Sequence, residues 1–313
     1  MWAYIGRRLL ATIPVILIVA VLIFLMLRLT PGDPAAVIAG NAATASDIAD
    51  IREKLGLSKP LITQFFIWAG NMARGDFGES FFYKKTVASM ISDRVGPTLA
   101  LTTLTIIIAT FIAVPLGTLA AWKQGSWLDR AVMGLSVLGF SVPAFVIGYL
   151  LIFFFSMKLD WFPVQGYKPL TEGFGPFLYH LILPACTLAI IFIALIARMT
   201  RTSVLEVLNE DYVRTARAKG LAQWKVVVGH ALRNAAVPIV TIIGIGIASL
   251  IGGVVVTESV FNIPGLGRLT VDAVLARDYP TVQAVIMLFS LAYVVINLLI
   301  DLAYTVLDPR IRY

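Results

Sequence analysis

Few residues in this chain are equipped for chemistry, and one charged passage lies between two long apolar segments: EDYVRTARAKGLAQWKVVVGHALRNAAVP, residues 210–238. Nucleophilic and metal chemistry have little to work with. The sequence contains no G-x-S-x-G, H-E-x-x-H or C-x-x-C, and no G-x-x-x-x-G-K-[ST] that would cradle nucleotide phosphates. Its one cysteine, Cys186, excludes an internal disulfide and a cysteine zinc cage, and reads as a small buried filler. His180 and His230 stand far apart in sequence, without ligand-like neighbours. The chain is therefore expected not to be an enzyme, and the charged passage is expected to bind rather than react.

Periodicity gives that passage a form. From Leu205, apolar residues recur at Leu208, Tyr212 and Ala216, one helical face. Glu206, Glu210 and Asp211 come first and Arg214, Arg217 and Lys219 last, the order that complements a helix dipole. Glu210 and Arg214 are spaced for an i,i+4 ion pair. Gly220 is placed to stop the helix, and a second stripe follows at Leu221, Trp224, Val228 and Ala231. The prediction is helix, glycine corner, helix. Such a segment can lie on an anionic membrane surface, pack on its own protein, or dock into a groove of another. Periodicity does not choose among the three.

The elements that must hold this passage are apolar. Of 313 residues, 59% are hydrophobic and 14% charged, against roughly 25% charged in soluble domains. Six windows are long enough for the about 20 residues that cross a bilayer: 9–27, 98–122, 131–155, 177–197, 237–257 and 282–304. In lipid these must be helices. The first is too long for the roughly 7–15-residue core of a signal peptide and is read as an uncleaved span. Lysine and arginine set the orientation. Arg7 and Arg8, Lys123 and Arg130, seven basic residues from Arg198 to Arg233, and Arg310 and Arg312 fall on one side, so both termini and the charged passage are placed in the cytoplasm. The net charge of +7 is thereby explained by topology, and nucleic acid is not expected as a partner.

Three parts result: an N-terminal span (1–29), an outer segment (30–97), and a five-helix core (98–313) with a cytoplasmic loop at 198–236. The outer segment, from Pro31 to Gly96, balances seven basic against seven acidic residues. It predicts three short amphipathic helices, one capped by Ser46 and stopped at Gly56, one starting at Pro60, and one ending at Gly96. These form a small cap or lie on headgroups. Within and beside the spans, Ser141 and Pro143 mark a kink in span three, and Glu258 opens the loop after span five. Asn297 and Asp301 share a face near the inner end of the last span. Each is a candidate for the translocation path, with an ordinary packing role as the alternative; for Asp301 that role is a contact with Arg198 or Arg201.

The charged passage closely resembles the cytoplasmic signature loop of permease subunits in binding-protein-dependent ABC importers, and more narrowly the peptide branch. Aligned on Gly220, the general Glu-Ala-Ala element falls on Arg214-Thr215-Ala216 and its Ile-x-Leu-Pro on His230-Ala231-Leu232-Arg233. Ala216, Gly220 and Leu232 keep the general pattern, and the peptide-branch variant carries the resemblance. TPGDP (30–34), LGLSKPL (55–61), GDFGES (75–80), SVPAF (141–145), ESVFNIPGLGRL (258–269), RDYP (277–280) and DPRIR (308–312) look like the same branch, in the first of its two paired permeases.

The resemblance implies an all-α integral membrane protein of the type I importer permease fold, with six transmembrane helices and a small helical periplasmic domain. It implies a bacterial inner-membrane location. Implied partners are a second homologous permease, two ATPase subunits, a periplasmic binding protein and membrane lipid. ATP and Mg would sit on the ATPases, and this chain would bind no cofactor and no metal. The loop 205–233 would be the coupling segment, with Glu210, Asp211, Tyr212, Arg214, Thr215, Ala216, Arg217, Lys219, Gly220, Leu221, His230, Leu232 and Arg233 at the contact. The cargo would be a dipeptide, oligopeptide, glutathione or nickel chelate. The competing class, an ion-coupled secondary transporter, would need charged groups near the middle of the spans, and no window carries one at its centre.

Overall fold

The computed structural model describes residues 2–29, 35–36, 44–54, 56–80 and 82–307. The TPGDP and DPRIR stretches, Leu55, Arg310 and Arg312 lie outside them. Apart from loops, the described residues are helical except for one two-stranded hairpin, β1 (Glu79–Ser80) and β2 (Lys85–Thr86), paired antiparallel with Glu79 opposite Thr86. Among the described residues four helices are long and apolar enough to cross a membrane, or five if one sharply bent pair is a single span; a further apolar stretch runs from Leu10 to Met26. The chain divides into two compact units, described separately below.

The first unit holds residues 97–264 and 296–307. Its centre is α7 (Phe174–Leu208), against which α5 (Trp127–Ser141), α6 (Ala144–Leu151) and α10 (Ala236–Val260) pack. α7 contributes Leu181, Leu188, Ala189, Phe192 and Ile196 to the main core, joined by Leu250, Val254 and Phe261. Ala109, Ala113 and Ala121, together with Gly117, place small residues at every fourth position along α4 (Val87–Trp122). That spacing lets two backbones approach closely, the usual means of helix association in lipid. A 105° bend separates α5 from α6. Val142 is extended (φ −97°, ψ 126°), as the residue before a proline must be, and Pro143 heads the next helix. The run predicted as span three is thus a broken helix pair and not one kinked helix; its second arm ends in a π-helical stretch, Ile152–Lys158.

The second unit holds residues 2–96 and 265–295. It contains α1 (Trp2–Leu29), α2 (Ala45–Lys54), α3 (Leu61–Ala73), the hairpin, α11 (Leu266–Leu275) and the start of α12 (Tyr279–Leu307). α3 leans on α1 through Phe24, whose ring lies 5.3 Å from Phe65 and 5.7 Å from Trp68. Val87, Met90, Ile91, Leu266, Leu269, Ala284 and Val285 form its core. Two expectations change here. The third outer helix does not stop at Gly96, since residues 87–122 are one helix running through Pro97. The cap of α2 is Thr44 and not Ser46. Thr44 Oγ1 and N both donate to Asp47 Oδ2 (2.6 and 2.9 Å), and Asp47 N returns a bond to Thr44 Oγ1 (3.3 Å). This reciprocal box satisfies two helix-end donors. It also holds the Asp47 carboxyl below its ordinary 3.8, so the cap is complete at neutral pH and is lost as pH falls through that range.

Candidate functional site

The charged passage folds into an elbow. α7 stops at Leu208, Asn209 and Glu210 leave the helix, and α8 runs Asp211–Ala218. Its end is a Schellman motif. Gly220 sits at φ +78° and donates to Arg217 O (2.9 Å), while Leu221 N donates to Ala216 O (3.4 Å). Beyond the corner, one helical turn (α9, Gln223–Lys225) passes into a π-helical stretch, Val226–Leu232, and Ala236 begins α10.

The elbow is rooted in its own core. Val204, Leu208, Val213, Ala216, Val226, Val227, Ala231, Ala235 and Ile239 are buried together with Ala121 from the end of α4, and Leu205 and Leu232 pack against them. The predicted stripes are therefore only partly right. Tyr212 (45% exposed), Leu221 (39%), Trp224 (58%) and Val228 (52%) face outward. The break at 209–210 resets the helical phase, so Val213, and not Tyr212, shares the buried face with Leu208 and Ala216. The π-helical stretch has a five-residue repeat, so Val226 and Ala231 share the buried face and Val228 does not. The elbow thus leaves four large apolar side chains exposed, and Arg214, Arg217, Lys219 and Arg233 are exposed as well.

The remaining polar groups of the elbow are mostly held locally. Arg214 pairs with Asp211 (3.1 Å) and not with Glu210; both partners are so exposed that the pair adds little. Thr215 Oγ1 donates to Asp211 O (3.0 Å), and Asn234 Nδ2 to His230 O (2.7 Å). Glu210 is exposed and His230 half-buried. Partial burial, then the Glu210 charge, raises the Tyr212 hydroxyl above its ordinary 10.0, so Tyr212 stays neutral at the elbow surface.

The candidates for the translocation path are scattered. Ser141, at the exposed end of α5, donates to Val137 O (2.9 Å), and Pro143 is exposed at the start of α6. Beside them, between α5, α6 and α7, lies a concavity of about 440 Å3 lined by Leu138, Gly139, Val142, Ile147, Ile190 and Ala194 among others. Its one polar liner, Ser136, donates to its own helix at Val132 O (2.8 Å), so the concavity suits apolar groups. Asn297 and Asp301 are half-buried in α12. Arg201, one expected partner of Asp301, is instead held by Asp129, and the Arg198 guanidinium stands 6.0 Å above the Phe140 ring.

Glu258 does not open a loop. It occupies the last turn of α10, is fully buried, and accepts a 2.6 Å hydrogen bond from Thr98 Oγ1. Its backbone carbonyl accepts from Ile263 N (2.9 Å), and Gly166 N donates to Phe261 O (3.0 Å), so the 258–263 corner is tied down on several sides. In this arrangement Glu258 is closed to any external partner. Glu258→Ala is expected to destabilise the protein by about 1–3 kcal/mol, because it removes a fully buried acceptor that the Thr98 hydroxyl donates to. Glu258→Gln, which keeps an acceptor, should cost less, and thermal unfolding in detergent measures both.

Two polar clusters were missed because their members lie far apart in sequence. Arg201 Nε and Nη2 grip both carboxylate oxygens of Asp129, Nη2 at 2.8 Å. Asp278 Oδ2 accepts from Ser80 Oγ (2.5 Å) and Thr281 Oγ1 (2.6 Å), fastening the hairpin of the second unit. No local spacing announces either.

The comparisons with known proteins agree with this architecture. Residues 113–313 match the family model described as the inner membrane component of binding-protein-dependent transport systems, and residues 1–102 match the N-terminal model for the same kind of membrane component. A probable peptide ABC transporter permease of Sinorhizobium fredii is 55% identical over 313 residues, covering both chains completely. A putative peptide transport system permease of Brucella abortus is 44% identical, again over both full lengths. The glutathione transport system permease GsiC of Salmonella choleraesuis is 46% identical over 99% of each chain. Among solved structures, the inward-facing MetNI methionine ABC transporter superposes with a TM-score of 0.60 at 19% identity, covering 70% of this chain and 96% of that one. At that identity the likeness speaks for the fold.

Proposed function

Because the chain belongs to the family of binding-protein-dependent transport system inner membrane components, we propose that it forms one half of the pore of an ATP-driven importer for peptides or peptide-like solutes. On this reading a second, homologous permease completes the pore, and a periplasmic binding protein delivers cargo. Two ATPase subunits bind the ATP and Mg that this chain does not. The elbow is the coupling segment. The observation that carries this reading is its two-sidedness: a root buried against the ends of α4, α7 and α10, and four exposed large apolar side chains, Tyr212, Leu221, Trp224 and Val228, in a segment whose arginines and lysines are also exposed. Large exposed aromatics over a packed base are what a protein groove grips.

The finer topology belongs to the same proposal. Six crossings, counting α1 and taking the bent pair as one, put both termini and the elbow in the cytoplasm and the 30–97 segment in the periplasm. Rocking of the spans by the ATPases is then a rigid-body switch between two states of different ATPase affinity.

The test is reconstitution of this chain with its second permease, both ATPases and the binding protein in proteoliposomes. Uptake of glutathione and of di- to tetrapeptides is expected to require ATP inside and to ignore a proton gradient. Uptake driven by the gradient without nucleotide would restore the secondary-transporter reading. A cysteine at position 224, in a Cys186→Ala background, is expected to cross-link to an ATPase subunit; its absence from any ATPase contact would end the coupling assignment.

A further inference from the structure

We propose that the Asp129–Arg201 ion pair is a clamp that makes α5 travel with α7 when the elbow is moved. This rests on the reading of the elbow as the coupling segment, and names a positioning pair that passes its motion to the bent span.

The geometry starts at Asp129, whose side chain is 5% exposed. It sits in the first turn of α5 and binds two elements at once. One oxygen accepts from Gly125 N (2.9 Å), in the turn between α4 and α5, and both oxygens accept from the Arg201 guanidinium. Ser126 Oγ caps the same turn through Asp129 N (3.4 Å). Arg201 is 20% exposed and lies seven residues before the end of α7, about 10 Å along the helix at 1.5 Å per residue. Beyond that end the elbow begins, with Val204 and Leu208 already in its root. A push on the elbow therefore reaches α7 beside Arg201.

At the opposite end of α5 a second attachment exists. Gly139 approaches α7 so closely that a Cβ there would stand 3.0 Å from Ala194 Cβ and 3.4 Å from Ile190 O. Small apolar surfaces pressed together resist separation but permit sliding and rotation. A two-pronged guanidinium–carboxylate contact fixes both register and rotation, since it tolerates only one planar arrangement. With one attachment at each end, α5 is carried as a rigid arm whose far end is the 105° bend at Val142–Pro143. A buried ion pair adds little stability compared with a well-packed apolar pair, so geometric definition is what this one contributes.

The experiment uses the complete importer in proteoliposomes, in a Cys186→Ala background, with spin labels at Trp127→Cys and Glu206→Cys. Both positions are exposed, at the start of α5 and near the end of α7. Distance distributions are recorded without nucleotide and after trapping with ATP and vanadate. The expected wild-type result is one narrow distribution, the same in both states. Asp129→Asn and Arg201→Lys are expected to at least double its width in the trapped state. The exchange Asp129→Arg with Arg201→Asp is expected to narrow it again. A wild-type distance that changes on trapping, single variants that stay narrow in both states, or an exchange variant that assembles but stays broad would each overturn the clamp. Failure of the coupling reading is separately visible, because position 224 would then give no cross-link to an ATPase in the wild-type complex.

Discussion

A Gly220→Val variant is expected to assemble with its partners and hydrolyse ATP, yet to lose at least tenfold in uptake per ATP. The reason lies in one torsion. Gly220 holds φ +78° and closes both Schellman hydrogen bonds, and a Cβ added there meets nothing within 4 Å. No clash follows, so the cost is confined to the backbone. A left-handed conformation costs a β-carbon residue roughly 1–2 kcal/mol, and β-branching adds to that. Such a cost is too small to unfold a membrane protein whose elbow root is buried, and large enough to redraw the corner between α8 and α9. The corner sets where Leu221 and Trp224 stand relative to Tyr212. Gly220→Asn provides the discriminating control, because asparagine tolerates this region best after glycine. It should retain most of the uptake. Equal loss in both variants would show that the space at residue 220, and not its torsion, matters, while normal uptake in Gly220→Val would remove the corner from the mechanism.

Gly220 was legible in the sequence because the requirement it meets is local. A polar helix of acid-to-base order followed by glycine states its own end, and the structure closes that end as expected. Long apolar runs were legible for the same reason, and each predicted run lies in one helix except 131–155, which breaks at Val142–Pro143. Which elbow residues share a face was not legible. Periodicity assumes an unbroken 3.6-residue repeat, and two departures from it, the break at Asn209–Glu210 and the π-helical stretch at Val226–Leu232, move Tyr212, Leu221, Trp224 and Val228 to the surface. Tyr212 and Leu221, which the resemblance implies at the contact, are among the residues left exposed.

The same distinction explains the charged residues. Asp129 and Arg201 are 72 positions apart, and Glu258 and Thr98 are 160 apart. Their partners are decided by which helices pack together. From sequence, Glu258 reads as the first polar residue after a span; in the fold it is the last turn of that span, enclosed by the corner that follows. Pro143 was a signal of intermediate quality. A proline inside an apolar run announces a disturbance, but whether it yields a kink or a 105° break depends on how the two arms pack, here both against α7.

Gly117→Leu is expected to prevent the folded permease from accumulating, and Gly117→Ala to destabilise it by about 1–3 kcal/mol, the usual cost of overpacking. A β-carbon at this position would stand 2.4 Å from Ala197 O and 2.7 Å from Thr200 Cβ. Neither obstacle can swing aside, one being backbone and the other fixed to it. The only relief is to push α4 away from α7, which separates Ala109, Ala113 and Ala121 from the surfaces they pack on. In a bilayer that separation exposes no surface to water, so the loss is close packing itself, the term that holds helices together there. Two controls isolate the cause. Gly252→Ala, in α10 with nothing within 4 Å of its would-be β-carbon, should be neutral or stabilising by about 0.5–1 kcal/mol from helix propensity. Thr200→Val keeps the shape of the contact and removes a buried hydroxyl that has no hydrogen-bond partner, so it should leave stability unchanged or raised. Thermal midpoints in detergent, with the yield of monodisperse protein, measure all four. A Gly117→Leu permease of normal yield and midpoint would mean that α4 and α7 do not touch at this point, and the first unit would need a different packing around its central helix.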